Sequence, residues 1–314
     1  MLISLKKTRS TLSALALSAM FSFPALFLQV LSPHPLSLLA PAQAAEAKKE
    51  KPARKFDQDY ALFARELKRF VRDGEIDYSS WQKDQSGLNR FLKNLAELKS
   101  SEYETFSREE RLAFWLNAYN ALMIKSVLDH YPISGKLAHY PADSFRQIPG
   151  DWEAQKFIVM GKEITLYDIE HEKIRRDLPD ARTHFAVVCA SRSCAEIVAR
   201  PYKAQTIDED LDNAAKRFIN DDENLLLDVE GRRFKVSKIF SWFTLDFAGK
   251  SGALNKFPPP SDQEIIAGYI MPFLTDENRK KLVLLFKNLP EVQFDYMPYD
   301  WSLNDAKTAK TNAK

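Results

Sequence analysis

Both cysteines of the chain, and one of its five histidines, fall within "HFAVVCASRSC" at positions 184–194. Sulfur placed this way can do several kinds of work. Cys194 can attack an amide or ester, with a histidine to take its proton and an amide or carboxylate to orient that histidine. Alternatively, Cys189 and Cys194 can close a short disulfide, or both can be small buried hydrophobes. A dithiol redox role is disfavoured because the spacing is C-x4-C rather than C-x-x-C. The same spacing is poor for zinc and no second ligand pair stands nearby, so no metal and no cofactor is expected.

For the nucleophile reading, Cys194 follows the loop "ASRS", neighbours Arg192 and precedes a stretch that can begin a helix. A cation and a helix N-terminus both favour thiolate. Without such help, at a pKa of about 8.5, only about 3% is thiolate at pH 7. The candidate bases are His171, half-buried on a stripe with Tyr167, Ile174 and Leu178, and His184, on an apolar run read as a strand. Alternation on that strand sets His184 on the face opposite Cys189. Candidate orienting groups are Asn117 and Asp300. Asn117 and Asn120 lie one turn apart in the most apolar helix, where an unpartnered buried amide costs about 1–3 kcal/mol. For the staple reading, exactly two cysteines in an exported chain invite a disulfide, and so short a loop contributes about 2 kcal/mol.

The elements that must position these groups read as helices first and strands later. Asp57 can cap "QDYALFARELKRFV", and "LNRFLKNLAEL" is a second helical run. Ser107 and Glu110 form a capping box for "SREERLAFWLNAYNALMIKSVLDH", which is apolar almost all round and so buried. "KFIVMGKEITL" is a hairpin turning at Gly161, and Thr165 with Asp168 caps "LYDIEHEKIRR". "THFAVVCA" reads as a buried strand, Thr206 with Glu209 as a cap for "IDEDLDNAAKRFIN", "LLLDVEGRRFKV" as a hairpin turning at Glu230-Gly231, and "VQFDYMPYDW" as a late strand. The fold class is α+β, one domain with N-terminal helices and a mostly antiparallel sheet.

Lys6, Lys7 and Arg9 precede an apolar stretch from Leu12, and Ala42-Gln43-Ala44 offers a small-residue cleavage site, the pattern of a secretory signal peptide over 1–44. Pro24, Pro33 and Pro35 interrupt the apolar run, so no stable membrane span is expected after cleavage. The protein is read as exported, periplasmic or extracellular, the alternative being an uncleaved N-terminal anchor. Residues 45–55 read as a flexible leader, 56–304 as the domain and 305–314 as a disordered tail. Taking the three basic residues of the signal segment 1–44 from 45 basic against 43 acidic leaves a net charge of −1. That balance does not suggest nucleic acid or any strongly charged partner, and no nucleic-acid partner is expected.

The blocks "AFWLNAYNAL", "ITLYDIEHEKIRR", "HFAVVCASRSC", "KVSKIFSWFTLDF" and "PYDWSLN" together resemble the uncharacterised family known as domain of unknown function 547. The resemblance implies that His171 and His184 occupy the family's histidine positions. Ala195 stands where bacterial members carry proline. A likeness to thiol-protease or transglutaminase folds is fold-level analogy only, and the order Asn, His, Cys runs opposite to papain's. Two functions follow. One is a Cys-dependent hydrolase or acyltransferase acting on amide or ester bonds in the cell envelope. The other is a non-enzymatic binding or scaffold protein with a Cys189–Cys194 disulfide, its partner an envelope peptide, small molecule or protein.

Overall fold

The N-terminal third is helical because its apolar residues recur at helical spacing. α1 (Ala61–Phe70) buries Phe63, Leu67 and Phe70 along one face. It starts three residues later than the sequence suggests. Tyr60 takes the left-handed region (φ 52°), and Asp57 caps from outside, its Oδ2 accepting from Ala61 N at 2.9 Å. A tight hairpin of β1 (Val71–Arg72) and β2 (Glu75–Ile76) leads to α2 (Tyr78–Trp81), α3 (Ser86–Glu97) and α4 (Ser100–Tyr103). Ser107 and Glu110 close the expected capping box, with Ser107 N donating to Glu110 Oε2 at 2.8 Å. The helix they open, α5 (Arg108–His130), buries 16 of its 23 residues, so it is a central strut rather than a one-faced surface helix.

The hairpin of β3 (Phe157–Val159) and β4 (Lys162–Ile164) turns through Met160 and Gly161, both at positive φ, the requirement of a tight hairpin turn. Its tip is pinned to α3 by Met160 N and Gly161 N donating to Leu95 O and Ala96 O. Thr165 and Asp168 form the expected box over α6 (Leu166–Asp168). The helix then widens into a π-helix over Ile169–Arg176, a rare geometry that concentrates at functional sites.

Residues 183–190 are not a strand. Ala181–Phe185 is a 3-10 turn, capped by Asp180 Oδ1 accepting from Arg182 N, and the chain beyond it is irregular. The physical reason lies on α5. Asn120 Nδ2 donates to Ala186 O at 3.0 Å and its Oδ1 accepts from Val188 N at 2.9 Å, supplying from one side chain the pair of bonds a neighbouring strand would make. Alternation is lost with the strand: His184, Phe185, Ala186, Val187 and Val188 are all buried.

α7 (Ile207–Ile219) follows, without the expected cap. Thr206 instead donates its hydroxyl to Asp210 Oδ2 at 2.8 Å, and Asp210 also takes Arg200 at 2.6 Å. β5 (Leu225–Asp228) and β6 (Arg233–Val236) pair antiparallel as expected. After α8 (Lys238–Trp242), α9 (Thr244–Gly249), α10 (Asp262–Ile270) and α11 (Asp276–Lys287), β7 (Gln293–Tyr296) returns parallel to β6. The three-stranded sheet, ordered β5-β6-β7, is therefore mixed, because a parallel return needs an intervening crossover.

Two apolar cores result. One gathers the N-terminal helices around α5; the other gathers Phe185, Phe234, Phe240 and Phe247 against α7 and the sheet. Each such ring, fully buried, contributes about 1.5–3 kcal/mol. The cysteine segment is their seam: Ala181, Phe185 and Ala195 belong to the second core, Ala186, Val187, Val188, Ala190 and Ile197 to the first. The fold is α+β.

The structure, a computed structural model, describes residues 55–249, 258–287 and 292–306. The signal segment over 1–44 and its cleavage site lie outside the described residues, as do nearly all of the leader at 45–55 and of the tail at 305–314. Asp305, placed in that tail by the sequence reading, is buried, and its Oδ2 accepts from Tyr131 OH at 2.8 Å. No helix among the described residues is long and apolar enough to cross a membrane.

Candidate functional site

The π-helix, the cysteine segment, α8 with Phe243 after it and the segment "YDW" converge on one cleft of about 460 Å3, a size that suits a small ligand. His184 is 3% exposed, and its Nε2 lies 2.7 Å from Asp246 Oδ2. A carboxylate only accepts, so Nε2 carries the proton and Nδ1 is the nitrogen left to take another. The ring is stacked on Phe243 at 4.0 Å with Phe247 at 5.5 Å, which fixes its plane. Arg175 clamps both oxygens of Asp246, Nε donating to the same Oδ2 at 2.6 Å and Nη2 to Oδ1 at 3.1 Å. Burial would raise the Asp246 carboxyl, but the bonds and positive charge from His184 and Arg175 outweigh it and hold the group well below the usual carboxylate range.

Arg175 also donates through Nη1 to His171 Nδ1. An arginine can only donate, so His171 uses its lone pair there and keeps its proton on Nε2. Burial first, then the Arg175 charge, lower the His171 pKa. The two histidines therefore differ: His184 is oriented as a base, and His171 is held neutral as a donor. Tyr167 lies 4.0 Å from the His171 ring, and Glu170 accepts from Tyr119 OH at 3.2 Å, the hydroxyl in turn receiving Trp152 Nε1 at 2.9 Å.

Cys189 and Cys194 are bonded through their sulfurs, with Cα atoms 5.9 Å apart, inside the usual disulfide range. Cys189 N points at Cys194 Sγ at 2.9 Å; Tyr299 OH lies 3.0 Å from Cys189 Sγ and 2.7 Å from Ser191 Oγ. Among the described residues no histidine is within hydrogen-bonding distance of either sulfur. Two supports for an activated Cys194 fall away. The chain after it is irregular, so no helix dipole reaches it, and Arg192 turns aside to Glu75 at 3.2 Å. Ala190, between the cysteines, is buried at φ 56°, a left-handed conformation that costs a non-glycine residue about 1 kcal/mol.

Neither expected orienting residue touches a histidine. Asn117 embraces the backbone of Tyr202, donating to its O at 2.7 Å and accepting from its N at 2.9 Å. Asp300 accepts from Ser302 N at 2.9 Å, while its backbone is zipped to Ser193. Asp246 fills the role that Asn117 and Asp300 were assigned. Its signal was a lone carboxylate in the aromatic run "WFTLDF", which a buried setting obliges to find partners.

Aromatic rings complete the wall. Tyr299 and Trp301 lie 4.5 Å apart, Trp242 and Tyr299 4.8 Å, and Trp152 and Trp301 6.3 Å. A second cavity of about 540 Å3 opens behind the cysteine loop, lined mostly by charged and polar groups such as Asp73, Glu75, Arg192 and Arg217. Although larger, it gathers no oriented base, so the aromatic cleft is the candidate site. Cys194 lines both. Among the described residues no group of three or more His, Cys, Asp or Glu is placed to hold a metal ion.

No curated protein and no solved structure matches the chain. The family model described as "Protein of unknown function, DUF547" matches residues 103–219, the span that carries α5, the π-helix, His184 and both cysteines, and over that span the chain resembles this family.

Proposed function

We propose that this is an exported binding protein whose aromatic cleft holds a small molecule, or a side chain of an envelope peptide or protein, with Cys189–Cys194 as a staple in the cleft wall. One observation carries the reading: the sulfurs are at bonding distance within that wall, so neither presents a free thiol to the cleft. The lining is mostly apolar with few, fixed polar groups, as small-molecule sites are. The test is a titration with a panel of small cationic, neutral aromatic and glycosidic fragments, read by tryptophan fluorescence and by amide NMR shifts. Binding fragments should perturb Trp152, Trp242 and Trp301, and Trp301→Ala should remove the response. Fragments that shift only residues outside the cleft would sink the proposal.

The His184–Asp246 pair in the same cleft favours one second reading, a hydrolase or acyltransferase whose thiol is freed by an external dithiol reductant. Cys194 would give its proton to His184 Nδ1 and attack the amide or ester carbonyl; the ring would pass that proton to the departing amine or alcohol, and water or an acceptor nucleophile would release the acyl group from sulfur. Acyl transfer that appears only after reduction, and disappears in Cys194→Ala, would put this reading first.

A further inference from the structure

Resting on the binding reading above, we infer that the cleft selects an organic cation, an ammonium carried on an alkyl body, with Glu170 as its counter-charge. The charges around the cleft decide this. Asp246 is neutralised by Arg175 at 2.6 Å and Asp151 by Arg146 at 2.7 Å. His171 is held neutral, because Arg175 occupies its lone pair. Two carboxylates remain in the lining, Glu153, exposed and hydrogen-bonded to Asp151, and Glu170, half-buried. Glu170 receives only the Tyr119 hydroxyl, and among the described residues no cation pairs with it. An anionic ligand would meet this surplus and the negative faces of the rings; a neutral apolar ligand would leave Glu170 uncompensated beside it.

The rings supply the other half of the recognition. Trp152, Trp242, Tyr299 and Trp301 form one continuous wall, and Tyr167 stands beside His171. Their faces attract an alkylammonium more than a compact hydrated cation, since its methylene or methyl groups can also cover apolar surface. Arginines of the protein already use these faces. Arg146 sits 5.2 Å over Trp152 and 5.4 Å over Tyr140, and Arg175 sits 4.8 Å over Phe243.

Choline and its neutral carbon isostere 3,3-dimethylbutan-1-ol, with 3,3-dimethylbutanoate as the anionic member, make a set of one shape and three charges. Titrated into the full chain with the disulfide intact, choline should quench cleft tryptophan fluorescence and bind at least about tenfold tighter than the isostere. Glu170→Gln keeps an acceptor for Tyr119 and should remove that preference. Glu172→Gln, two residues along the same helix and ion-paired to Arg176, should leave it intact. Equal or tighter binding of the alcohol or the carboxylate, lost in Trp301→Ala, would overturn the cation inference while leaving a binding cleft in place. A cleft that answers neither these probes nor any fragment would overturn both.

Discussion

Asn117 and Asn120 on α5 and His171 and His184 at the cleft are four polar side chains set among apolar ones, yet their bonds run in different directions. Each asparagine spends donor and acceptor on backbone: Asn117 on Tyr202, Asn120 on Ala186 and Val188. The helix uses them to pin irregular chain to itself. Each histidine has one ring nitrogen fixed by Asp246 or Arg175 and the other uncommitted to that network, and both line the cleft. The residue types alone do not separate scaffold from site; the destination of each bond does.

The comparison predicts its largest effect at Asn120. Asn120→Ala leaves a buried N–H and a buried C=O without partners and should cost about 2–4 kcal/mol, read by urea unfolding. Asn120→Asp should be no rescue, because a carboxylate accepts from Val188 N but repels Ala186 O. A loss below about 0.5 kcal/mol would mean that the cysteine segment is held by something else. Reducing the Cys189–Cys194 bond should cost about 2 kcal/mol from loop entropy, measured as a shift in urea midpoint, with the fold retained.

Smaller effects belong to the cleft and are visible in pH. Asp246 has a folded pKa below its unfolded value of about 4, so its contribution is present above pH 4 and is lost as pH falls through and below that range. Asp246→Asn should therefore lower stability at neutral pH and flatten the acid limb of the stability profile. His171 has a folded pKa below its unfolded value of about 6.5, so folding resists its protonation and stability declines as pH falls below about 6.5. His171→Gln should remove that decline with little change at pH 8. If His171→Gln proved as destabilising as Asn120→Ala, the division between scaffold and site would collapse.

Much of the scaffold was legible in the sequence. The capping boxes at Ser107 and Thr165, the all-round apolarity of α5 and the hairpin at Gly161 are local signals, and each formed. "THFAVVCA" misled because its β-branched, apolar run had no partner strand, and a side chain 66 residues away supplied the bonds instead. Of the site, the two histidines and both cysteines were visible by type. Asp246, Trp242 and the π-helical turn were not, because they matter only once α8 and α9 fold back across the cysteine segment. The parallel pairing of β7 with β6 escaped for the same reason: it depends on what the intervening helices do, which no local pattern states.

The central claim is that the sulfurs build the cleft wall rather than react in it. Intact mass of the purified protein after iodoacetamide treatment without reductant, across mildly acidic to mildly alkaline pH, tests this most directly. The account predicts no label and a mass two hydrogens below the dithiol. Rapid single labelling at Cys194 below neutral pH would contradict it and place the thiol chemistry first.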